Sequence, residues 1–345
     1  MPLNFPPIAR RLAVTAALVA AMAALLLAVP SLGAVTRQLS HMQAWWVAAA
    51  VALELASCAS FVVVFRLFFD RVPATAAREL AWTEQGSGAL LAGGGVGGLV
   101  VGGWLMRDAG MPSETILERS SGLFFLTSGA SVAALIGAGA VALTPADSGP
   151  HDLLRAGGPI LLGAGVLAAA LLVPVAWRHA NSSNRGGTSR SPRPWLDALI
   201  AGIGAAERVL VRPTWRLVGA VGYLGFDIAA LWATLAATGH PMPAAPLVLG
   251  YVLGYLANSV PIPASVGVLE GGLAGALIAY GASPAQAAAA VVVYHAIAFW
   301  IPALGGLLAF GLLRHGQRPP RPAATAPCPA AAPRTISVDP TEVLT

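Results

Sequence analysis

The chain has 345 residues, of which 57% are hydrophobic and only 10% are charged. A soluble domain carries roughly 25% charged residues, so this composition excludes an ordinary soluble globular protein and indicates a polytopic membrane protein. The net charge is +5, all basic side chains apart from His are Arg, and this charge is concentrated outside the apolar runs. Positive charge in the loops and the tail suits a protein surface that faces anionic lipid head groups. We expect no nucleic-acid partner.

Apolar runs of about 20 residues, long enough to cross a bilayer, set the predicted order of the chain. The first follows Arg10 and Arg11 and has features of both a signal peptide and a retained anchor. Its long core and the many later runs favour the anchor. We predict an all-α, polytopic membrane helical bundle of about eight spans. The runs lie at 12–32, 44–65, 86–106, 120–143, 156–177, 215–237, 244–260, 265–281 and 284–312.

Arg residues set the predicted orientation, because cytoplasmic loops carry an excess of positive charge. The polar stretch 178–214 holds six Arg and is the strongest marker of the inner side. It would fall outside if 86–106 crossed fully, so we predict that this glycine-rich run is a re-entrant hairpin buried in protein. The N- and C-termini are then cytoplasmic, and the protein lies in the cell (plasma or inner) membrane.

The domain organisation follows from the same pattern. Residues 1–315 are predicted to form one transmembrane domain, with 178–214 as its basic cytoplasmic loop. Within that loop, 195–212 is either an amphipathic helix on the inner leaflet or an ordinary connecting helix. Residues 316–345 are rich in Pro and Ala and have no apolar face, so a disordered tail is expected.

A faint internal repeat links the two halves. Three glycines four residues apart precede a glycine-containing turn in each half, and such repeats are typical of transporters. Glycine-rich membrane sequence also produces coincidences of this kind. The first run contains G-x-G-x-x-G, but without the strand context of a dinucleotide site, so close helix packing explains it better. The glycines are Gly94, Gly98 and Gly102, and Gly267, Gly271 and Gly275.

The stretch "NSVPIPASVGVLEGG" at 258–272 interrupts an apolar region. Pro261 and Pro263 each lack an N–H, so a helix that arrives here must end near Asn258. Ser265 is a candidate N-cap for a new helix. A helix that begins inside the membrane points free N–H groups and a positive dipole end at a ligand, and phosphate suits such a site. The alternative is a kinked structural helix whose broken backbone is satisfied internally.

Ionisable residues within the apolar runs are candidate functional groups. Glu270 ranks first because it follows the broken segment, and its alternative is a neutral acid hydrogen-bonded to backbone. Asp227 and Glu54 rank next, each either a polar helix contact or part of a site. His295 is a candidate partner of Glu270, although a lone histidine in a bundle is commonly just hydrogen-bonded.

The remaining polar residues suggest no catalytic or metal chemistry. Glu118 and Arg119 lie at the end of a run, where a surface pair is the simpler interpretation. Cys58 and Cys328 lie in regions that should not meet, so we expect no disulfide. No nucleophile elbow, P-loop or zinc-ligand pair is found, and we expect no cofactor and no metal.

The stretch 258–306 resembles the C-terminal signature of the lysylphosphatidylglycerol synthase transmembrane region family, a flippase-like membrane domain that also occurs as stand-alone proteins. Residues 94–124 are similar to the glycine-rich segment of that family and its following Glu-Arg pair. Two departures are that Ala264 and Ser265 replace Gly-Gly, and that His295 replaces an Arg. The matching positions are Asn258, Pro261, Pro263, Gly267, Glu270, Gly281, Tyr294, Trp300, Pro302 and Gly306.

The resemblance implies a protein that binds and translocates a phospholipid or lipid-linked molecule, with membrane lipid as its partner. The soluble aminoacyl-transferring domain of larger relatives has no counterpart here, so we expect no enzyme activity. The alternatives are a proton-coupled small-solute transporter and a non-transporting partner of a lipid or glycan synthase; the oligomeric state stays open. The expected lipid site comprises Asn258, Pro261, Pro263, Ser265, Gly267, Glu270, Tyr294 and His295, with Glu54, Asp227, Glu118 and Arg119 as secondary candidates.

Overall fold

A computed structural model describes residues 33–91, 95–144, 153–182, 194–257 and 268–316. These ranges are helical and contain no strand, which confirms the all-α membrane bundle. The helices are α1 Gly33–Ser40, α2 Ala44–Phe68, α3 Ala74–Leu90, α4 Gly95–Asp108, α5 Ser113–Ala142, α6 Leu153–Ser182, α7 Pro194–Val211, α8 Val218–Ala237, α9 Ala244–Ala257, α10 Val268–Ala279 and α11 Pro284–Gly316.

Helix length separates the elements into two groups. In the described part of the chain, α2, α5, α6, α8 and α11 provide five segments long and apolar enough to cross a membrane. The predicted span 12–32 lies outside the described residues. The predicted spans 244–260 and 265–281 correspond to α9 and α10, which have 14 and 12 residues. At 1.5 Å per residue these helices are about 21 and 18 Å long, shorter than a hydrocarbon core of about 30 Å. The count of eight spans is therefore not confirmed.

The short helices pair as two antiparallel hairpins. In the second hairpin, formed by α9 and α10, a Cβ on Gly254 would lie 2.7 Å from Cα of Leu273, and one on Gly250 would lie 3.0 Å from the Leu277 side chain. In the first hairpin, formed by α3 and α4, a Cβ on Gly98 would lie 2.4 Å from the backbone oxygen of Glu84. Glycine is required at these crossings because the backbones approach so closely.

The same order of elements occurs twice. The first half runs through α2, the first hairpin and α5, and the second half runs through α8, the second hairpin and α11. In both halves a glycine with positive φ follows the hairpin, Gly110 at 89° and Gly281 at 106°. Glycine alone adopts this backbone conformation without strain. The repeat suggested by the glycine spacing thus corresponds to a repeated order of helices.

The second half is inverted relative to the first. Helices α2 and α8 pack antiparallel, since Gly219 near the start of α8 faces Val64 near the end of α2, and the backbone N–H of Gln43 donates to Ala237 O at 3.0 Å. The two hairpins therefore enter the bundle from opposite ends. Inverted repeats of this kind are a common transporter architecture.

Each hairpin also packs against the last long helix of the other half. Helix α3 crosses α11 so closely that a Cβ on Gly86 would lie 2.6 Å from Cα of Gly306. The Trp82 ring covers Gly305 at the same crossing. Helix α9 contacts α5 in the corresponding way. Each half therefore contacts the other through its hairpin as well as through the α2–α8 pair.

Helices α6 and α7 connect the halves. Helix α7 packs on α5, where Gly202 contacts Ser121 and Gly122, and its last turn leaves Leu210 and Val211 exposed. These contacts match the connecting-helix alternative for residues 195–212. The aliphatic side chains of α6 are largely exposed, with Leu154 at 81% and thus outside the protein core.

Candidate functional site

Two acids meet where the central helices α2 and α8 cross. Glu54 is the eleventh residue of α2 and Asp227 the tenth of α8, so both lie near the middle of their helices. Glu54 is only 5% exposed, and its carboxyl lies beside that of Asp227, in the register fixed by the bond from Ser57 Oγ to the backbone oxygen of Tyr223 at 2.8 Å. Antiparallel packing of α2 and α8 brings these residues together although 172 residues separate them in the chain.

Three tyrosines surround the carboxyl of Asp227. Tyr294 on α11 donates to Asp227 Oδ1 at 2.6 Å, and Tyr251 on α9 donates to Oδ2. The hydroxyl oxygens of Tyr255 and Tyr294 lie 2.8 Å apart. Since Tyr294 gives its only hydrogen to Asp227, Tyr255 is the donor in this second bond. The result is a relay from Tyr255 through Tyr294 to Asp227.

A thiol and an amide extend the polar contacts towards the first hairpin. Cys58, one helical turn after Glu54, donates from Sγ to Glu54 Oε1 at 3.8 Å. Gln85 on α3 donates from Nε2 to the backbone oxygen of Cys58 at 3.4 Å. We call Glu54, Cys58, Asp227, Tyr251, Tyr255 and Tyr294 the central polar cluster. Through Gln85 and Tyr251 it contacts both hairpins.

The members of the central polar cluster differ in exposure. Tyr251 is 5% exposed and Tyr294 only 1%, whereas Asp227 and Tyr255 are partly exposed. Tyr255 lies two residues before Ala257, the last residue of α9, and so sits near the tip of the second hairpin. A polar ligand can therefore reach Asp227 and Tyr255 first. Hydroxyl and carboxyl groups of this kind bind hydrogen-bonding head groups and exchange protons.

Of the residues expected in the site, the structure brings Tyr294, Glu54 and Asp227 together. His295 lies next to Tyr294 on α11, partly buried, and stacks on Phe299 with ring centroids 6.4 Å apart. Trp300, Pro302 and Gly306 follow on the same helix, and Gly306 lies where this helix crosses α3.

The broken segment itself lies outside the described residues. Outside the described residues are therefore the predicted helix end at Asn258, the two prolines Pro261 and Pro263, the predicted cap Ser265, and Gly267. Glu270 is the third residue of α10, and its side chain also lies outside the described part. Its proposed pairing with His295 stays a prediction. What the structure shows is that α9 and α10 end and begin on either side of this segment.

Glu118 and Arg119 lie at the end of the bundle and do not form the predicted pair with each other. Glu118 Oε1 accepts from Arg208 Nη2 at 2.9 Å. Arg119 Nη1 donates to the backbone oxygen of Phe68 at 2.9 Å and lies 3.5 Å from the carboxylate of Asp70. Adjacent residues on a helix point in different directions, so each finds a partner on another element.

Sequence reasoning did not assign Cys58, Tyr251 and Tyr255 to the site. A usable signal was present, because Tyr251 and Tyr255 are four residues apart and share one helix face, as do Glu54 and Cys58. The chain has only five tyrosines, and three of them surround a single carboxyl. Within the described ranges, no three His, Cys, Asp or Glu side chains are grouped as metal ligands.

Comparison with known proteins gives one match. A family model described as the lysylphosphatidylglycerol synthase TM region matches residues 11–306, which is most of the chain. No curated protein and no solved structure matches.

Proposed function

The chain belongs to the lysylphosphatidylglycerol synthase TM region family, and from that premise we propose that it is a carrier that binds a phospholipid or lipid-linked molecule and moves it across the cytoplasmic membrane. It is an integral, multi-pass membrane protein, as its family and the five apolar spans among the described residues indicate. Under this proposal the cargo is its partner and no bond in the cargo is broken, so the protein is not an enzyme. Both termini are cytoplasmic under the same proposal, since the Arg-rich stretch 178–214 then faces the inner side.

The central polar cluster is the observation that carries this proposal. Asp227, Tyr255 and their partners place hydrogen-bonding groups midway along α8 and α11, whose outer surfaces are apolar. A lipid head group crossing a bilayer must replace its hydration at this depth, whereas its tails can stay in the surrounding lipid. Polar groups inside a membrane are costly and indicate a ligand path.

The inverted halves supply a route for the cargo. Each hairpin enters from one end of the bundle, so a movement of one hairpin opens the centre to one side only. We infer that the second hairpin delivers the head group to Tyr255 and Asp227. For the same contact the sequence predicts further donors around Asn258 and Ser265 and an acid at Glu270, whose side chains lie outside the described residues. Alternate opening of the hairpins then moves the head group across.

A reconstituted transport assay tests the proposal. Purified protein is placed in vesicles that contain a fluorescent phospholipid, and dithionite added outside bleaches the outer leaflet. We expect the wild type to expose inner-leaflet lipid to dithionite. Asp227→Asn weakens charge-assisted hydrogen bonds, which contribute about 1.5–3 kcal/mol each. Since roughly 1.4 kcal/mol corresponds to a factor of ten in rate, we expect inner-leaflet lipid to be exposed at least tenfold more slowly. Asp108→Asn, an exposed acid at the end of α4, is the matched control.

Equal rates for wild type, Asp227→Asn and empty vesicles, with folded protein in each, would overturn the lipid proposal. Native mass spectrometry of lipids retained through purification identifies the cargo class. We expect a phospholipid or lipid-linked species that is bound to the wild type and lost from Asp227→Asn and from Glu270→Gln. Retention by Glu270→Gln alone would remove Glu270 from the site and leave the central polar cluster in it.

A further inference from the structure

Glu54 carries an oxygen that no ordinary donor satisfies. Oε1 accepts from the Cys58 thiol, but Oε2 is shielded from solvent and receives no hydrogen bond from any N–H or O–H group of the described residues. The Glu54 carboxyl nonetheless lies beside the carboxyl of Asp227 where α2 and α8 cross. Two ionised carboxylates are acceptors only, so Glu54 Oε2 can share a hydrogen bond with Asp227 only if one of the two acids carries a proton.

Among the described residues, no positively charged side chain is found next to the pair. The titratable groups around it are acids, phenols and a thiol: Cys58 on α2, Tyr223 on α8, Tyr251 and Tyr255 on α9 and Tyr294 on α11, with Glu84 of α3 near Tyr223. Gln85 on α3 is neutral. Two buried carboxylates without a cation repel each other, and a shared proton removes that repulsion.

We propose that Glu54 and Asp227 form a proton-binding site that holds one exchangeable proton between the inverted halves of the protein. In the proton-bound form, which the structure represents, the two carboxyls share the proton and hold α2 and α8 together at their midpoints. Release transfers the proton to water through the partly exposed side of Asp227 and leaves two carboxylates that repel. No covalent bond between heavy atoms is made or broken.

The contacts of each acid give this site a mechanical consequence. Glu54 is linked through Cys58 to Gln85 in the first hairpin, and Asp227 is linked directly to Tyr251 in the second. Proton release therefore loosens both hairpins at once. The site does not depend on the nature of the cargo, and it would couple transport to a proton gradient whether the cargo is a lipid or another solute.

Infrared difference spectroscopy of the purified protein in detergent tests the proton directly. We expect a protonated-carboxyl C=O band that disappears as the pH rises and shifts in heavy water. Glu54→Gln and Asp227→Asn should each abolish it, because an amide satisfies the remaining carboxylate without a proton. Glu84→Gln, a second buried acid, and Glu114→Gln, an exposed one, should keep it. A band that is retained in both Glu54→Gln and Asp227→Asn, and that persists when Glu84→Gln is added to each, would overturn the proposal.

The thiol of Cys58 provides a second readout. In a Cys328→Ser background Cys58 is the only cysteine, so its alkylation by a membrane-permeable maleimide reports opening of the cluster. Rates are divided by the rate of glutathione at the same pH, which removes the intrinsic effect of thiol ionisation. We expect the corrected rate to rise as the pH rises, and to be independent of pH when Glu54→Gln is added. A pH-independent rate in both proteins would contradict the proposed opening.

These measurements need no lipid transport, so the two proposals can fail separately. A titrating band in a protein that moves no lipid would leave the proton site standing and remove the lipid carrier. Lipid exposure by a protein without a titrating band would support the lipid carrier and remove the proton site. In vesicles, an imposed pH gradient should change the transport rate of the wild type. It should have no effect on Glu54→Gln.

Discussion

Replacing Tyr294 with Phe removes one hydroxyl from a fully buried position of the central polar cluster. That hydroxyl donates to Asp227 at 2.6 Å and accepts from Tyr255 at 2.8 Å, and its residue is 1% exposed. Hydrogen bonds between membrane helices average about 0.6 kcal/mol and reach about 1.7. The short bond to a carboxyl group belongs near the upper value and the neutral one near the average. We therefore expect Tyr294→Phe to lower the free energy of unfolding by about 2 kcal/mol.

Two further variants calibrate this value. Tyr255→Phe removes only the neutral bond and should cost about 0.6 kcal/mol. Tyr223 lies one turn before Asp227 on α8, and its hydroxyl makes no hydrogen bond to another residue of the described ranges, so Tyr223→Phe should change stability by less than about 0.5 kcal/mol. The double variant of Tyr255 and Tyr294 should be no less stable than Tyr294→Phe alone, because both changes break the same bond.

Reversible unfolding by SDS in mixed micelles, followed by tryptophan fluorescence, measures all four variants. A loss of about 2 kcal/mol is a factor of roughly 30 in the unfolding equilibrium constant, well within the range of the method. Equal stability of Tyr294→Phe and Tyr223→Phe would refute the relay. Strict additivity of the Tyr255 and Tyr294 effects would show that the two hydroxyls are not bonded to each other.

Other contacts give predictions that the same unfolding assay checks. Gly306→Ala places a Cβ 2.6 Å from the backbone of α3 and should lower the free energy of unfolding by about 1–3 kcal/mol. Gly311→Ala, on the same helix but with open space around it, should be neutral or stabilising. Equal effects of the two variants would contradict the close crossing of α3 and α11. Gly254→Ala should cost about as much by separating α9 from α10, and an unchanged stability would argue against the tight second hairpin. Arg119→Ala should lower the free energy of unfolding more than Arg208→Ala. Arg119 is 22% exposed and also donates to a backbone oxygen, whereas Arg208 is 71% exposed and its ion pair contributes about 0–1 kcal/mol. The opposite order of the two effects would refute this ranking.

The long helices are predictable from sequence because a bilayer imposes a minimum apolar length. The predicted run 44–65 became α2 at Ala44–Phe68, and 215–237 contains the whole of α8. The predicted hairpin at 86–106 begins too late, since the first hairpin starts at residue 74. Its leading helix α3 carries Arg78, Glu79 and Glu84 and therefore has no apolar run to detect. A segment that packs inside protein need not be apolar on every side.

Hydropathy also cannot distinguish a hairpin of short helices from two full spans. Residues 244–281 are almost continuously apolar, and only the two prolines at 261 and 263 indicate that the chain turns there. The decisive features are three-dimensional, namely the glycine contacts of α9 with α10. The predicted count of about eight spans is therefore not confirmed, while the class of fold was predicted correctly.

The two acids of the central polar cluster were recognisable singly, but their association was not. Glu54 and Asp227 each stood out as acids in apolar runs, yet their contact depends on the antiparallel packing of α2 and α8, which no local pattern specifies. Tyr251 and Tyr255 looked like ordinary residues of a helix approaching the broken segment. Side-chain pairs at four-residue spacing, next to an acid elsewhere in the chain, are the signal that would have pointed to them.

The position of the acids follows from the inversion of the two halves. When two antiparallel helices are related by an axis through their crossing point, residues near the middle of each helix meet at that axis, and the meeting point is equally far from both ends of the bundle. A polar group anywhere else would belong to one hairpin and face one side. At the axis, Glu54 and Asp227 are linked to one hairpin each, so a single proton influences both. Under the proposed alternate opening, this arrangement places the energetic cost of burying polar groups at the one point that both hairpins contact.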